Sequence, residues 1–172
     1  MKRIFLIGYM GAGKTTVGKV LSRQLELSFI DLDHYIEGRY HKTVGQLFAE
    51  KGEDAFRDIE RRMLREVAAF EDVLVSTGGG APCFFDNMEF MNGAGQTVYL
   101  KVSVEELAKR LELCKSTRPI LEGRSGDELR AFIAESLKKR EPFYSKASIV
   151  FDAEEMMTDQ DVYKLSLIHI SE

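Results

Sequence analysis

No apolar run in this chain approaches the roughly 20 residues that a membrane-spanning helix needs. The start, Met1-Lys2-Arg3, carries the charge of a secretion signal. The apolar stretch after it is only Ile4–Ile7, ends at Gly8, and leads to no small-residue cleavage site, so that reading is rejected. There are two cysteines, Cys83 and Cys114, far apart and without metal-type spacing, which excludes a disulfide framework and points to a reduced, cytoplasmic protein. Basic residues are not in excess: 24 Lys and Arg against 28 Asp and Glu leave a net charge of −4, which argues against nucleic acid as a partner. Repeats, low-complexity segments and domain-splitting linkers are absent. Asparagine occurs only as Asn87 and Asn92, neither followed by lysine, so the N-K-x-D element that reads guanine is missing. What remains is an ordinary globular composition, 44% apolar, 10% aromatic and 30% charged over 172 residues, enough for one domain with a real core.

The last eight residues, Leu165–Glu172, read as translated transposase-adapter sequence and are set aside from fold reasoning, with His169 among them. The expected domain is then 1–164. It alternates short apolar strands with helices. Strands are expected at Arg3–Ile7, Phe29–Leu32, Val73–Ser76, Gln96–Val102 and Ser148–Phe151. Helices are expected at Lys14–Gln24, in two pieces over Asp33–Lys51, at Glu53–Phe70 with Phe56, Ile59, Met63, Val67 and Phe70 on one face, and at Phe84–Met91. Two capping boxes, Ser103-x-x-Glu106 and Ser125-x-x-Glu128, open two more. The first of these runs to about Cys114; the second turns Leu129, Phe132, Ile133 and Leu137 inward and is stopped by Pro142. Five strands separated by helices predict an α/β fold with a parallel sheet covered on both faces.

Gly8-Tyr9-Met10-Gly11-Ala12-Gly13-Lys14-Thr15 fits G-x-x-x-x-G-K-[ST], after a strand and opening a helix. Glycines let successive N–H groups point into one anion-sized hollow, and the helix adds its positive end. The expected ATP contacts are Gly11, Ala12, Gly13, Lys14, Thr15 and Thr16. Lys14 reaches the β- and γ-phosphates, and the Thr15 hydroxyl ligates Mg²⁺. Asp31-Leu32-Asp33 ends the second strand on the same sheet edge. On an extended segment two carboxylates at i and i+2 share a face, so that one holds Mg²⁺ through water and the other orients a hydroxyl acceptor. The alternative for Asp33 is capping of the helix that follows.

At this point the sequence resembles the shikimate kinase family over Met1 to about Glu155. The resemblance rests on the phosphate loop, Asp31-x-Asp33, Gly52-Glu53-Asp54-Ala55-Phe56-Arg57, Ser76-Thr77-Gly78-Gly79-Gly80, Arg118-Pro119-Ile120-Leu121 and Arg140-x-x-x-Tyr144. It implies a three-layer P-loop kinase fold with an acceptor-binding segment at about 33–61 and a lid at about 114–125. It implies transfer of the ATP γ-phosphate to the 3-hydroxyl of shikimate, on the route to chorismate and the aromatic amino acids. Asp33 would accept the hydroxyl proton, and Arg118 would lie on the moving phosphoryl group. Arg57 and Arg140 would take the shikimate carboxylate, with Glu60 steadying Arg57. Gly78, Gly79 and Gly80 would hold the acceptor ring, and Ser76 would stand near the Mg²⁺ shell. Arg110 is a candidate to stack on adenine. The family's proline-bearing loop after the last strand is missing: here the run is Asp152-Ala153-Glu154-Glu155-Met156-Met157.

Two rival readings remain open. A related kinase for gluconate or a nucleoside monophosphate would share the phosphate loop, and a non-catalytic ATP-binding module would need neither Asp33 nor Arg118. The expected state is a cytoplasmic monomer with ATP and shikimate as its small-molecule partners.

Overall fold

The computed structural model describes residues 2–114, 124 and 126–154. Five parallel strands form one sheet in the order β2-β3-β1-β4-β5. They are β1 (Arg3–Ile7), β2 (Ser28–Asp31), β3 (Val73–Ser76), β4 (Gln96–Lys101) and β5 (Ile149–Asp152). Between them run α1 (Lys14–Gln24), α2 (Leu32–Tyr40), α3 (Val44–Lys51), α4 (Glu53–Ala68), α5 (Asn87–Ala94), α6 (Val104–Cys114) and α7 (Gly126–Tyr144), with a 3-10 turn at Ala81–Cys83.

The middle strand shows why the protein has three layers. Ile4, Phe5, Leu6 and Ile7 are all fully buried, and successive side chains leave a strand on opposite faces. Ile4 and Leu6 join a core with Val17 and Leu21 of α1, Leu107 and Leu111 of α6 and Leu129 and Ile133 of α7. Phe5 and Ile7 join a second core with Ile36, Leu47, Phe56 and Leu64 from α2, α3 and α4. Because all pairings are parallel, the carboxyl ends of β1, β2 and β3 open on one edge. Leu6 and Asp31 both stand level with Ser76.

Several local expectations give way to tertiary contacts. The strand β2 ends at Asp31, which caps α2 by accepting the His34 N–H at 3.2 Å. Asp33 is therefore in a helical first turn, and the shared extended face expected for the two carboxylates does not exist. Helix α4 stops at Ala68, so Phe70 leaves the buried stripe; it is 40% exposed and meets the Tyr35 ring edge-on. Phe84 is extended, and the helix expected over 84–91 begins only at Asn87. Ser103 does cap α6 through the Glu106 N–H, but Glu106 does not reciprocate. Its carboxylate takes Arg110, and Glu154 accepts from the Ser103 N–H and hydroxyl instead. Ser125 of the other expected box lies outside the described residues. Pro142 does not stop α7, which continues to Tyr144, because the residues around the proline are anchored elsewhere. Tyr99 donates to Glu141 at 2.6 Å, and Tyr144 donates to the Gly79 carbonyl at 2.5 Å. Among the described residues no helix is long and apolar enough to cross a membrane.

Candidate active site

From Ile7 the chain curls through the glycine loop into α1. Gly11 and Gly13 take φ of 87° and 95°, a region that side-chain-bearing residues rarely adopt. Gly13 caps α1 with no side chain, and the first turn carries no acidic residue. By contrast α4, α6 and α7 open on Glu53-Asp54, Glu105-Glu106 and Asp127-Glu128. The positive end of α1 is thus left for an external anion. Lys14 Nζ donates to the Gly8 and Tyr9 carbonyls at 2.5 and 3.1 Å, which folds the ammonium over the loop.

In front of the loop is a hollow of about 340 Å³. Of the residues singled out from the sequence, Gly11, Gly13, Lys14, Thr15, Thr16, Asp31, Asp33, Ser76, Gly78, Gly79 and Arg110 all line it. Met10, Thr77 and Leu111 complete the wall and were not foreseen. Ala12 does not line it. Its side chain is in the core, and its N–H donates to the Tyr9 carbonyl at 3.1 Å. Arg110 ties the glycine loop to the segment after β5, donating to Gly11 O at 3.1 Å and to Ala153 O and Glu154 O at 3.3 and 3.0 Å. Arg118 lies outside the described residues, as do 115–123 and 125 of the lid expected at about 114–125 and the tail at 165–172.

Gly80, Arg57 and Arg140 are not on that wall; Gly80 ends the glycine turn that follows β3, and the two arginines stand against that turn. The turn is tight because each glycine makes room for a different functional side chain. A Cβ on Gly78 would lie 3.1 and 3.3 Å from the Asp33 carboxylate oxygens and 3.5 Å from Glu60 Oε2. On Gly79 it would lie 2.9 Å from Arg140 Nη1, and on Gly80 2.6 Å from Arg57 Nη2. The absence of side chains at 78–80 therefore lets one acid pair and two guanidinium groups converge.

The electrostatics follow from burial. Asp33 is held above the ordinary carboxylate range by burial and then by the neighbouring Asp31, while Lys14 and Arg57 oppose the shift. Glu60 is 1% exposed, and burial pushes it up to about 7 against the pull of Arg57. Arg57 donates to Glu60 Oε1 at 2.9 Å, and its side chain is only 11% exposed. Its guanidinium carbon lies 4.2 Å from the Phe84 ring centre and 5.5 Å from those of Phe48 and Phe56. Arg140 lies over the Tyr9 ring at 5.3 Å, and its Nη1 is buried with no hydrogen-bond partner among the described residues. A buried cation with a free donor is costly unless something anionic meets it. Nothing in the sequence around Phe84 or Tyr9 signals these ring contacts, because they join segments distant along the chain.

A phosphate loop at the carboxyl edge of a five-stranded parallel sheet, facing a buried carboxylate and paired arginines, defines a P-loop protein of the small-molecule kinase type. The sequence model described as shikimate kinase matches residues 10–169. The chain is 78% identical to the shikimate kinase of Parabacteroides distasonis over 166 residues, 96% of each chain. It superposes on a crystal structure of shikimate kinase from Bacteroides thetaiotaomicron with a TM-score of 0.93 at 56% identity, covering 97% of each chain. The shikimate kinase of Acinetobacter baumannii, solved in complex with shikimate, gives a TM-score of 0.84 at 32% identity, covering 100% of this chain and 96% of that one. This chain belongs to the shikimate kinase family.

Proposed function

We propose that this protein transfers the γ-phosphate of ATP to the 3-hydroxyl of shikimate. The observation that carries the reading is the convergence of Asp33, Arg57 and Arg140 on one three-glycine turn at the rim of the phosphate hollow. ATP lies along Gly11–Thr16. Lys14 exchanges its two loop carbonyls for phosphate oxygens, and the first N–H groups of α1 face the negative charge. Arg57 and Arg140 bind the acceptor's carboxylate, for which planar forks suit better than a point charge. Asp33 orients the hydroxyl and accepts its proton, and its raised affinity for protons makes it a better base than an exposed aspartate. Arg118 is assigned to the transferring phosphoryl group.

The residues fit Mg²⁺. Thr15, Asp31 and Ser76 present hard oxygen donors on the wall of the hollow, with Asp31 and Ser76 level on adjacent strands. Thr15 would hold the ion directly, and Asp31 and Ser76 through water. When bound, Mg²⁺ neutralises phosphate charge. We place the enzyme in the cytoplasm as a monomer.

ADP release on mixing protein, Mg-ATP and shikimate tests the reading. Turnover is expected with shikimate and absent without it. Turnover with gluconate or a nucleoside monophosphate in its place would overturn the substrate, and ATP binding with no turnover on any acceptor would make this a binding module.

A further inference from the structure

The motif Arg140-x-x-x-Tyr144 has so far been given a task for its arginine only. Tyr144 is fully buried, although it lies two residues beyond a proline in the last turn of α7. Its ring packs on Tyr99 with centres 5.0 Å apart, and its hydroxyl donates to the Gly79 carbonyl at 2.5 Å. Burial raises its affinity for the proton well above that of an ordinary tyrosine, so the hydroxyl is a donor at any working pH.

Gly78-Gly79-Gly80 is the loosest kind of backbone a chain can offer, yet Asp33, Arg140 and Arg57 each press against it so closely that an added Cβ would lie within 2.6–3.3 Å of them. Within it the Ala81 N–H donates to Gly78 O at 3.2 Å and the Cys83 N–H to Gly80 O at 3.0 Å. The Gly79 carbonyl is reached from outside the turn, by Tyr144. The Gly79 C=O and the Gly80 N–H share one planar trans unit and point in opposite directions. Fixing the carbonyl therefore fixes the direction of the N–H. That N–H and the Gly79 N–H have no hydrogen-bond partner among the described residues. Arg140 and Tyr144 are i and i+4 on α7 and so share a face, and both meet Gly79, one by its guanidinium and one by its hydroxyl.

We infer that Tyr144 is a positioning residue for the acceptor: its hydroxyl clamps the Gly79 carbonyl and so sets the glycine turn and Arg140 in register to receive the acceptor. This rests on the function proposed above. The test is Tyr144→Phe in the full chain, which keeps the ring against Tyr99 and removes only the hydroxyl, with its bond to Gly79 and its contact with Arg140. The KM for shikimate is expected to rise about 3- to 15-fold, as for a lost buried hydrogen bond. The KM for ATP should stay within about two-fold, because the phosphate loop is held by its own bonds. In the ligand-free protein the Ala81 and Cys83 amides should exchange hydrogen faster. Equal rises in both KM values, an unchanged KM for shikimate, or unchanged exchange at those amides would each overturn the proposal. If the wild-type protein releases no ADP with shikimate, the functional reading fails instead, and the exchange measurement, which needs no acceptor, still decides whether the clamp exists.

Discussion

The proposed donor half of the site rests on one contiguous stretch, Gly8–Thr16, running from the end of β1 into the first turn of α1, with Arg110 and Arg118 as its only proposed contacts from elsewhere. The proposed acceptor half draws Asp33 from α2, Arg57 and Glu60 from α4, Gly78–Gly80 from the end of β3 and Arg140 from α7. The first is made of backbone: curled N–H groups, a helix end and one lysine folded over them. The second is made of side chains, held by Phe84, Tyr9 and Glu60. The difference teaches that a loop suited to bind phosphate through its main chain can be written in nine consecutive letters. A pocket binding a shaped acid cannot, because its parts meet only when the sheet aligns four strand ends and helices.

Four substitutions break or sharpen this contrast. The largest effect is expected from Lys14→Ala, which should reduce ADP release at least ~10³-fold while circular dichroism and the melting midpoint remain those of a folded protein. An active mutant would remove the phosphate loop from the reaction. Next, Asp33→Asn should lower kcat about 10²- to 10³-fold with ATP binding by calorimetry unchanged; near-normal kcat would deny Asp33 its role as base. Gly80→Ala comes third. The backbone there has φ −87° and ψ −17°, ordinary for any residue, so only the added methyl acts, 2.6 Å from Arg57 Nη2. The KM for shikimate should rise about 10-fold as Arg57 is displaced, since one charged hydrogen bond is worth about 1.5–3 kcal/mol. An unchanged KM would place Arg57 outside the acceptor pocket.

The smallest effect is on stability. Folded Glu60 keeps its proton up to about pH 7, whereas its ordinary value is 4.5. The folded form therefore binds more protons between these values. The stabilisation is complete below about 4.5 and is lost as pH rises to about 7. Urea midpoints of the ligand-free protein should fall across that window, and Glu60→Gln should flatten the slope, though not abolish it, since Asp33 shifts in the same direction. A wild-type slope in the mutant would contradict the assignment of that slope to the buried Glu60 carboxyl.

Much of the frame was legible beforehand. The strands β1 and β3 and the helix α1 fall where apolar runs, a glycine stop and helical spacing put them. Errors cluster where a distant partner intervenes. Glu154 replaced Glu106 at Ser103, and Tyr99 and Gly79 drew α7 past Pro142. The i and i+2 spacing of Asp31 and Asp33 predicts one strand face, whereas Asp31 caps the helix that carries Asp33. Both still line the hollow, for a reason other than the one expected.

By itself the sequence determined the alternation of strands and helices, the phosphate loop and the residue types suited to its chemistry. These depend on neighbours a few positions apart, where spacing and backbone freedom decide. Only the tertiary structure decided which rings cradle the arginines, why three glycines stand together and that Tyr144 reaches one of them. Those contacts join residues up to 131 positions apart, as between Tyr9 and Arg140, and burial, which sets the charge of Asp33 and Glu60, exists only once the layers close.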